Sequence, residues 1–126
     1  MNIVIVDGET AIHGDLSWDG LRSIATVSEY PSTTPDQLLQ RLKDADGVLT
    51  NKVPFSRETM NAFPKLKYIG VTATGYNIVD LKAAREQQIA VTNVPAYSSA
   101  SVVQHVFALL LSYVSPTSRY DSLVRS

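Results

Sequence analysis

Five short apolar segments, each rich in β-branched residues, alternate along this chain with segments that have helical spacing. They occupy residues 3–6, 25–28, 48–50, 69–72 and 89–92. An alternation of strand and helix predicts a parallel sheet with helices on both faces. For five strands we predict a flavodoxin-like α/β fold with strand order 2-1-3-4-5, which binds ligands at the carboxyl ends of its strands.

Composition narrows the class of protein. A length of 126 residues suits one domain, and 44% hydrophobic with 18% charged residues is typical of a globular chain. A net charge of -1 provides no general attraction to nucleic acid or to an anionic membrane. No apolar run reaches the roughly 18 residues of a membrane span, and no secretory signal precedes the first strand. We therefore expect a soluble, cytoplasmic protein that binds neither nucleic acid nor membrane.

Capping residues predict where several helices begin. Thr34, Pro35 and Gln37 form a capping box at the start of the second helix. Ser56 and Asp80 are predicted to cap two later helices. The apolar spacing of the second helix predicts that three leucines form its buried stripe: Leu38, Leu39 and Leu42.

The last third of the chain contains an unusually apolar helical segment. A second capping box at Ser101 and Gln104 predicts a helix start, and residues 102–114 continue it. Its apolar side chains cover an arc of about 160°, which is wider than one sheet face covers. They are Val102, Val103, Val106, Phe107, Leu109, Leu110, Tyr113 and Val114. We expect helix 101–114 to fold back onto its own sheet or to exchange with a second copy in a homodimer.

A turn that contains glycine follows the fourth strand. Gly70 and Gly75 have the spacing of the two P-loop glycines, but Tyr76 and Asn77 replace the residues that a triphosphate site requires. The backbone amides of such a turn can still bind a small anion such as a carboxylate. The alternative is a tight turn that needs Gly75 for a positive φ, and the residues alone favour it.

Other polar residues carry weaker signals. Asn51 and Lys52 follow the third strand, where the ordinary interpretation is a solvated loop. Asp7 follows the first strand, where an aspartate usually caps a turn. His13 and His105 have no second histidine or carboxylate at ligand spacing, so we predict no metal site and no triad. The chain has no cysteine, no nucleophile elbow and no dinucleotide glycine fingerprint. We therefore predict no catalytic residue in this sequence.

Several segments form a specific combination that covers nearly the whole chain. They are DG at 7–8, DLSW at 15–18, LTNKV at 49–53, LKYIGVTATGYN at 66–77, VD at 79–80 and VTNVP at 91–95. Together they resemble the D-2-hydroxyacid dehydrogenases, and within them the glycerate dehydrogenase or hydroxypyruvate reductase branch. Residues 97–105 and 107–111 resemble the helix by which that family enters its coenzyme domain.

The resemblance implies that two segments of the chain belong to different domains. Residues 1–97 would form the substrate-binding domain, and residues 98–126 the hinge helix and the truncated start of the coenzyme domain. In the family, the dinucleotide motif, the substrate-binding Arg, and the Glu and His that move the proton belong to the part this sequence lacks. The family uses NAD(H) or NADP(H). We expect this chain alone to hold no cofactor and to be inactive.

The same resemblance implies site residues for a small 2-hydroxy or 2-oxo acid. The substrate carboxylate would meet the backbone amides of Thr74 and Gly75, which favours the anion-binding interpretation of this turn. Val102 matches a position near the nicotinamide. Two departures fall at the hinge, where Ala96 replaces the usual glycine and Ala100 the usual aspartate. The implied substrate-binding residues are Lys52, Thr74, Gly75 and Tyr97.

A second class of function also fits the predicted fold. A stand-alone flavodoxin-like module could bind a small anion, a flavin or a partner at the same sheet edge. A flavin phosphate loop rich in Ser, Thr and Gly would follow the first strand. Residues 8–14 contain one hydroxyl and one acidic side chain there, which disfavours the flavin version of this alternative.

Overall fold

The computed structural model describes residues 1–12, 14 and 16–126. His13 and Asp15 lie outside the described residues, so the expectations that involve them stay predictions. The chain divides into two compact units, Met1–Pro95 and Ala96–Ser126. The first unit contains the sheet and the second contains two helices.

The first unit is built on five parallel strands in the order β2-β1-β3-β4-β5. This confirms the predicted flavodoxin-like topology, and each predicted strand end lies within one residue of the observed one. Val4 pairs with Ser28 on one side and with Val48 on the other, so β1 lies between β2 and β3. The strands are β1 (Asn2–Ile5), β2 (Thr26–Glu29), β3 (Gly47–Thr50), β4 (Tyr68–Val71) and β5 (Ala90–Thr92).

Four helices of this unit connect the strands, and three of them begin at the predicted caps. The capping box of Thr34 and Gln37 is present, with the Thr34 amide donating to Gln37 Oε1 at 3.2 Å. Ser56 Oγ accepts from the Thr59 amide at 3.2 Å, and the Asp80 side chain caps in the same way. The helices are α1 (Asp19–Arg22), α2 (Pro35–Leu42), α3 (Arg57–Asn61) and α4 (Leu81–Glu86), and a short 3-10 turn covers Gly8–Thr10.

The core lies between one face of the sheet and helices α2, α3 and α4. Leu38 and Leu42 are buried there, but Leu39 is 62% exposed, so its predicted place in the buried stripe is wrong. Residues four apart share a helix face, whereas Leu39 is turned by about 100° from Leu38. The largest fully buried side chains include Phe55, Leu42, Met60, Leu66 and Ile69.

Gly70 belongs to strand β4 and not to the turn that follows it. A Cβ at Gly70 would lie 2.5 Å from Leu49 Cδ2 and 2.9 Å from the Tyr68 hydroxyl. These two side chains cover the sheet face opposite the core, so the absence of a side chain at Gly70 is a packing requirement. Its P-loop-like spacing with Gly75 therefore carries no functional meaning.

The second unit consists of helices α5 (Ser99–Val114) and α6 (Thr117–Arg125). The predicted start of α5 at Ser101 is wrong, because the helix begins at Ser99 and Ser101 lies in its first turn. Ala96 has φ +55°, so the extended chain turns there and the helix begins soon afterwards. No residue of either helix is buried.

The sequence interpretation did not foresee α6, which follows Pro116 and is largely polar. No single helix of the described chain is long and apolar enough to cross a membrane. Only α5 and α6 taken together meet that criterion, as a pair bent by 47°.

Candidate functional site

A buried carboxylate fixes the loop that follows β3. Asp7 is 4% exposed, and its Oδ2 accepts from the amides of Lys52 at 2.6 Å and Asn51 at 2.9 Å. Longer bonds reach the same oxygen from the Val53 amide and the Thr50 hydroxyl, both at 3.3 Å. Several donors offset the cost of burying this charge. The interpretation of Asp7 as a cap for its own turn is wrong, since its side chain makes no cap bond there.

The same loop positions two side chains differently. Asn51 Nδ2 donates to the Thr10 carbonyl at 3.1 Å, and Asn51 Oδ1 is buried without a donor among the described residues. Lys52 is held by its backbone, whereas its side chain is exposed and forms no salt bridge within the described part of the chain. The Asp7 contacts thus fix the loop from which the exposed Lys52 side chain extends, at the carboxyl edge of the sheet.

The turn after β4 presents backbone donors. The amides of Thr74 and Gly75 have no acceptor among the described residues. Hydrogen bonds from the segment after β5 hold this turn in place. Asn93 Nδ2 donates to the Thr74 carbonyl at 2.8 Å, and Thr74 Oγ1 donates to the Val94 carbonyl at 3.1 Å. Two adjacent amides in a fixed turn can donate hydrogen bonds to an anion.

Gly75 is not required by the fold itself. Its φ lies outside the left-handed region, where the described residues with positive φ are Gly14, Gln88 and Ala96. A Cβ at Gly75 would meet only Asn77 Oδ1, at an ordinary contact distance of 3.5 Å. The interpretation of Gly75 as a residue needed for positive φ is therefore wrong. The missing side chain leaves the backbone open to close approach by another molecule.

The start of helix α4 does not contribute to this anion site. Asp80 Oδ1 accepts from the Ala83 amide at 2.9 Å, so a carboxylate of the chain already occupies the first turn. The start of α4 is therefore not available to a bound anion. Any anion affinity comes from the turn amides.

Backbone hydrogen bonds join the loops after β3 and β4. The Thr72 amide donates to the Thr50 carbonyl at 2.8 Å. Further along, the Phe55 amide donates to the Ile78 carbonyl at 2.8 Å, and the Asp80 amide donates to the Phe55 carbonyl at 3.0 Å. Lys52 and the Thr74–Gly75 turn are therefore carried by two coupled loops at one edge of the sheet.

Comparison with known proteins agrees with this geometry. Residues 8–119 match the family model described as D-isomer specific 2-hydroxyacid dehydrogenase, catalytic domain. The chain belongs to this family. Membership confirms the resemblance seen in the sequence and argues against an unrelated flavodoxin-like module.

Two curated members of the family are close in sequence. The chain is 39% identical over 127 residues to a hydroxypyruvate reductase of Blautia hydrogenotrophica, covering 98% of this chain and 39% of that protein. It is also 39% identical over 98 residues to a glycerate dehydrogenase of Methylorubrum extorquens, covering 77% of this chain and 31% of that protein. The chain thus spans less than two fifths of the length of these relatives.

A solved dehydrogenase of the same fold supports the architecture. The D-lactate dehydrogenase of Aquifex aeolicus, complexed with NAD and lactic acid, matches with a TM-score of 0.71 and 23% identity. The match covers 99% of this chain and 37% of that one. At this identity the likeness establishes the fold.

Two of the residues assigned by the resemblance to this family belong to the second unit. Tyr97 is 67% exposed, and Val102, on α5, is 57% exposed. Ala96 stands where the family usually has glycine, and its φ of +55° is a conformation that suits glycine. His105 lies on α5, exposed, and the described residues contain no cluster of three or more groups that could hold a metal.

Asn93 is a positioning residue that the sequence interpretation missed, and Asp7 is one that it took for a turn cap. Both follow strands at the carboxyl edge, and that placement was the available signal.

Proposed function

We propose that this chain forms the substrate-binding part of an NAD(P)-dependent D-2-hydroxyacid dehydrogenase. The substrate is a small acid of the glycerate or hydroxypyruvate type. The observation that carries the proposal is that the amides of Thr74 and Gly75 have no acceptor among the described residues, combined with a glycine that the fold does not require. The names of the two curated relatives support the choice of substrate.

The turn and the ammonium group have different parts in substrate binding. The substrate carboxylate accepts hydrogen bonds from the amides of Thr74 and Gly75, which orient it because both donors are fixed. The Lys52 ammonium adds a positive charge at the same edge. Tyr97 contributes from the hinge, and Val102 packs near the nicotinamide in the full-length enzyme.

The residues of this chain do not form a dinucleotide site by themselves. The sequence lacks the glycine fingerprint that lets a backbone approach a pyrophosphate. Val102 offers only an apolar contact. Hydride transfer needs a nicotinamide held against the substrate carbon and a placed acid, so we propose that this chain alone has no dehydrogenase activity. Consumption of NADH with hydroxypyruvate by the purified chain would contradict this.

Titration with D-glycerate, followed by amide NMR, tests the binding site. Chemical-shift changes at Thr74 and Gly75 should saturate. In the Gly75→Ala variant, the added methyl group should weaken binding by about tenfold, roughly the loss of one hydrogen bond to a charged group. Gly20→Ala is the matched control, because a Cβ at Gly20 meets nothing within 4 Å. Equal binding by both variants, or no change at the turn, would refute the proposed site.

We also propose that α5 joins two copies of the chain in a homodimer by exchange of helix 101–114. Its apolar side chains are exposed over its whole length. A patch of this kind is typical of an interface. Light scattering should give the mass of a dimer, and Leu110→Glu should give a monomer. Ser112→Glu is the control on the polar side of the helix. A monomeric parent chain would overturn the proposal.

A further inference from the structure

A cavity in the first unit lies away from the Thr74–Gly75 turn. It has a volume of about 570 Å³ and opens between α2, α3 and the loop that follows β3. Small-molecule sites commonly have volumes of about 300–1,000 Å³ and mostly apolar walls. Neither Thr74 nor Gly75 lines this cavity. Its apolar lining includes Leu38, Leu39, Val53, Pro54, Ala62 and Phe63.

Most polar groups in the lining already have partners. Thr10 Oγ1 donates to the Asp7 carbonyl at 2.8 Å, and the Asp7 carboxylate accepts from the loop amides. Thr33 Oγ1 donates to the Val6 carbonyl, and Thr59 Oγ1 pairs with Ser56 Oγ. The Lys52 ammonium and the Ser32 hydroxyl remain without a side-chain partner in the described part of the lining. The available chemistry is therefore one cation and one hydroxyl beside an apolar surface.

The walls of this cavity are fixed without a ligand. Asp7 holds the loop that carries Lys52. On the opposite wall, Arg41 Nη1 donates to the Ser32 carbonyl and to Thr33 Oγ1, both at 2.6 Å. The guanidinium of Arg41 also lies 4.0 Å from the centre of the Tyr30 ring. A preformed cavity loses little conformational entropy when a ligand enters.

We propose that this cavity binds a small monocarboxylate with an aromatic or branched apolar body. Its carboxylate pairs with Lys52 and accepts from Ser32, while its apolar body covers Leu39 and Phe63. Lys52 is the one cation among the described lining residues, so a carboxylate gains a charge-assisted contact there that a neutral ligand lacks, and a dianion would meet no second cation.

Binding at this cavity regulates the substrate edge through Lys52. This consequence rests on the proposed function, which gives Lys52 a place beside the substrate. One ammonium group cannot pair fully with two separate carboxylates. The cavity ligand therefore weakens binding of the substrate acid, and the substrate acid weakens binding of the cavity ligand to the same extent.

An amide NMR titration of the whole chain with 4-phenylbutyrate tests this site. Saturable shifts should appear at Leu39, Val53 and Phe63, with no direct effect of similar size at Gly75. The neutral 4-phenylbutanamide should bind about tenfold more weakly, because it cannot form the charge-assisted contact with Lys52. Equal binding of the two compounds, or shifts confined to the exposed helix α5, would overturn the proposal.

Two variants separate this site from the substrate turn. Ala62 is exposed at the end of α3, so Ala62→Phe should fill the cavity and abolish the response to 4-phenylbutyrate while D-glycerate still shifts Gly75. Gly75→Ala should weaken D-glycerate binding by about tenfold and leave the response to 4-phenylbutyrate unchanged. Leu39→Glu provides a second variant of the cavity. Leu39 is exposed, so the position tolerates a charge, and the glutamate would repel the ligand carboxylate. Unchanged binding of 4-phenylbutyrate by Leu39→Glu would refute the site. If the parent chain binds 4-phenylbutyrate but not D-glycerate, the proposed function is refuted instead.

Discussion

The two units of this chain differ in how their helices are stabilised. Met1–Pro95 contains every buried residue of the described chain, and its helices α2, α3 and α4 share one core with the sheet. Ala96–Ser126 contains none, although α5 has 16 residues and a mostly apolar surface. An isolated helix shorter than about 12–15 residues is marginal in water, and α5 exceeds that limit only slightly. Local helical preference can therefore form α5, although none of its residues is buried.

The largest expected effect contrasts one phenylalanine from each unit. Phe55 is fully buried, so Phe55→Ala should lower the free energy of unfolding of the first unit by about 3–5 kcal/mol. Phe107 is 57% exposed, so Phe107→Ala should change the same transition by less than about 0.5 kcal/mol. Urea unfolding, followed by circular dichroism, measures both. Equal losses would show that the two units share one core.

The sequence predicted the sheet well because each strand is marked locally. Short apolar segments bounded by polar residues locate all five strands, and capping residues at Thr34, Ser56 and Asp80 locate three helices. Errors arose where local pattern was insufficient. Leu39 has the spacing of a buried residue but lies at the edge of a cavity, and Ser101 has the residue type of a cap inside a helix that begins earlier.

The site was harder to predict, because its positioning contacts join distant residues. Asp7 bonds to amides 44 to 46 positions away, and Asn93 to a carbonyl 19 positions away. No spacing rule pairs residues across different strands. Lys52, Thr74 and Gly75 were assigned through the family resemblance, and their roles in substrate binding stay predictions.

A moderate effect is expected at the left-handed residue that ends α4. Gln88 has φ +58°, its amide donates to the Arg85 carbonyl at 3.2 Å, and the Ile89 amide donates to the Ala84 carbonyl at 2.8 Å. This pattern is a Schellman motif, in which glycine is preferred. Gln88→Gly should therefore raise the free energy of unfolding of the first unit by about 0.5–1 kcal/mol.

Ala96→Gly is the matched substitution in the second unit. It relieves a similar conformation, but Ala96 lies outside the first unit. The unfolding transition of the first unit should therefore hardly change. Thermal melting of both variants checks the contrast, and an equal gain from Ala96→Gly would show that the two units unfold together.

The smallest effect is expected from an exposed ion pair of the first unit. Lys65 Nζ lies 2.7 Å from Asp44 Oδ1, with side chains 63% and 65% exposed. The hydrogen bond and the charge of Lys65 lower the pKa of Asp44 below its ordinary value of 3.8. The same contact raises the pKa of Lys65 above 10.5. Exposed pairs of this kind stabilise proteins weakly, and salt screens them further.

The sign of these shifts fixes the pH window in which Lys65→Met should matter. Because the folded state lowers the pKa of Asp44, the stabilisation is complete above 3.8 and disappears as the pH falls through the lowered value. Because it raises the pKa of Lys65, the stabilisation is also lost as the pH rises above 10.5 and through the raised value.

Lys65→Met should therefore lower the melting temperature slightly at neutral pH and not at all in strong acid. Lys82→Met, which removes an exposed ammonium without a salt bridge among the described residues, should show no such pH dependence. A deficit of Lys65→Met that persists in strong acid would mean that its side chain stabilises the first unit by packing, and that surface contacts as well as the core distinguish this unit from the second.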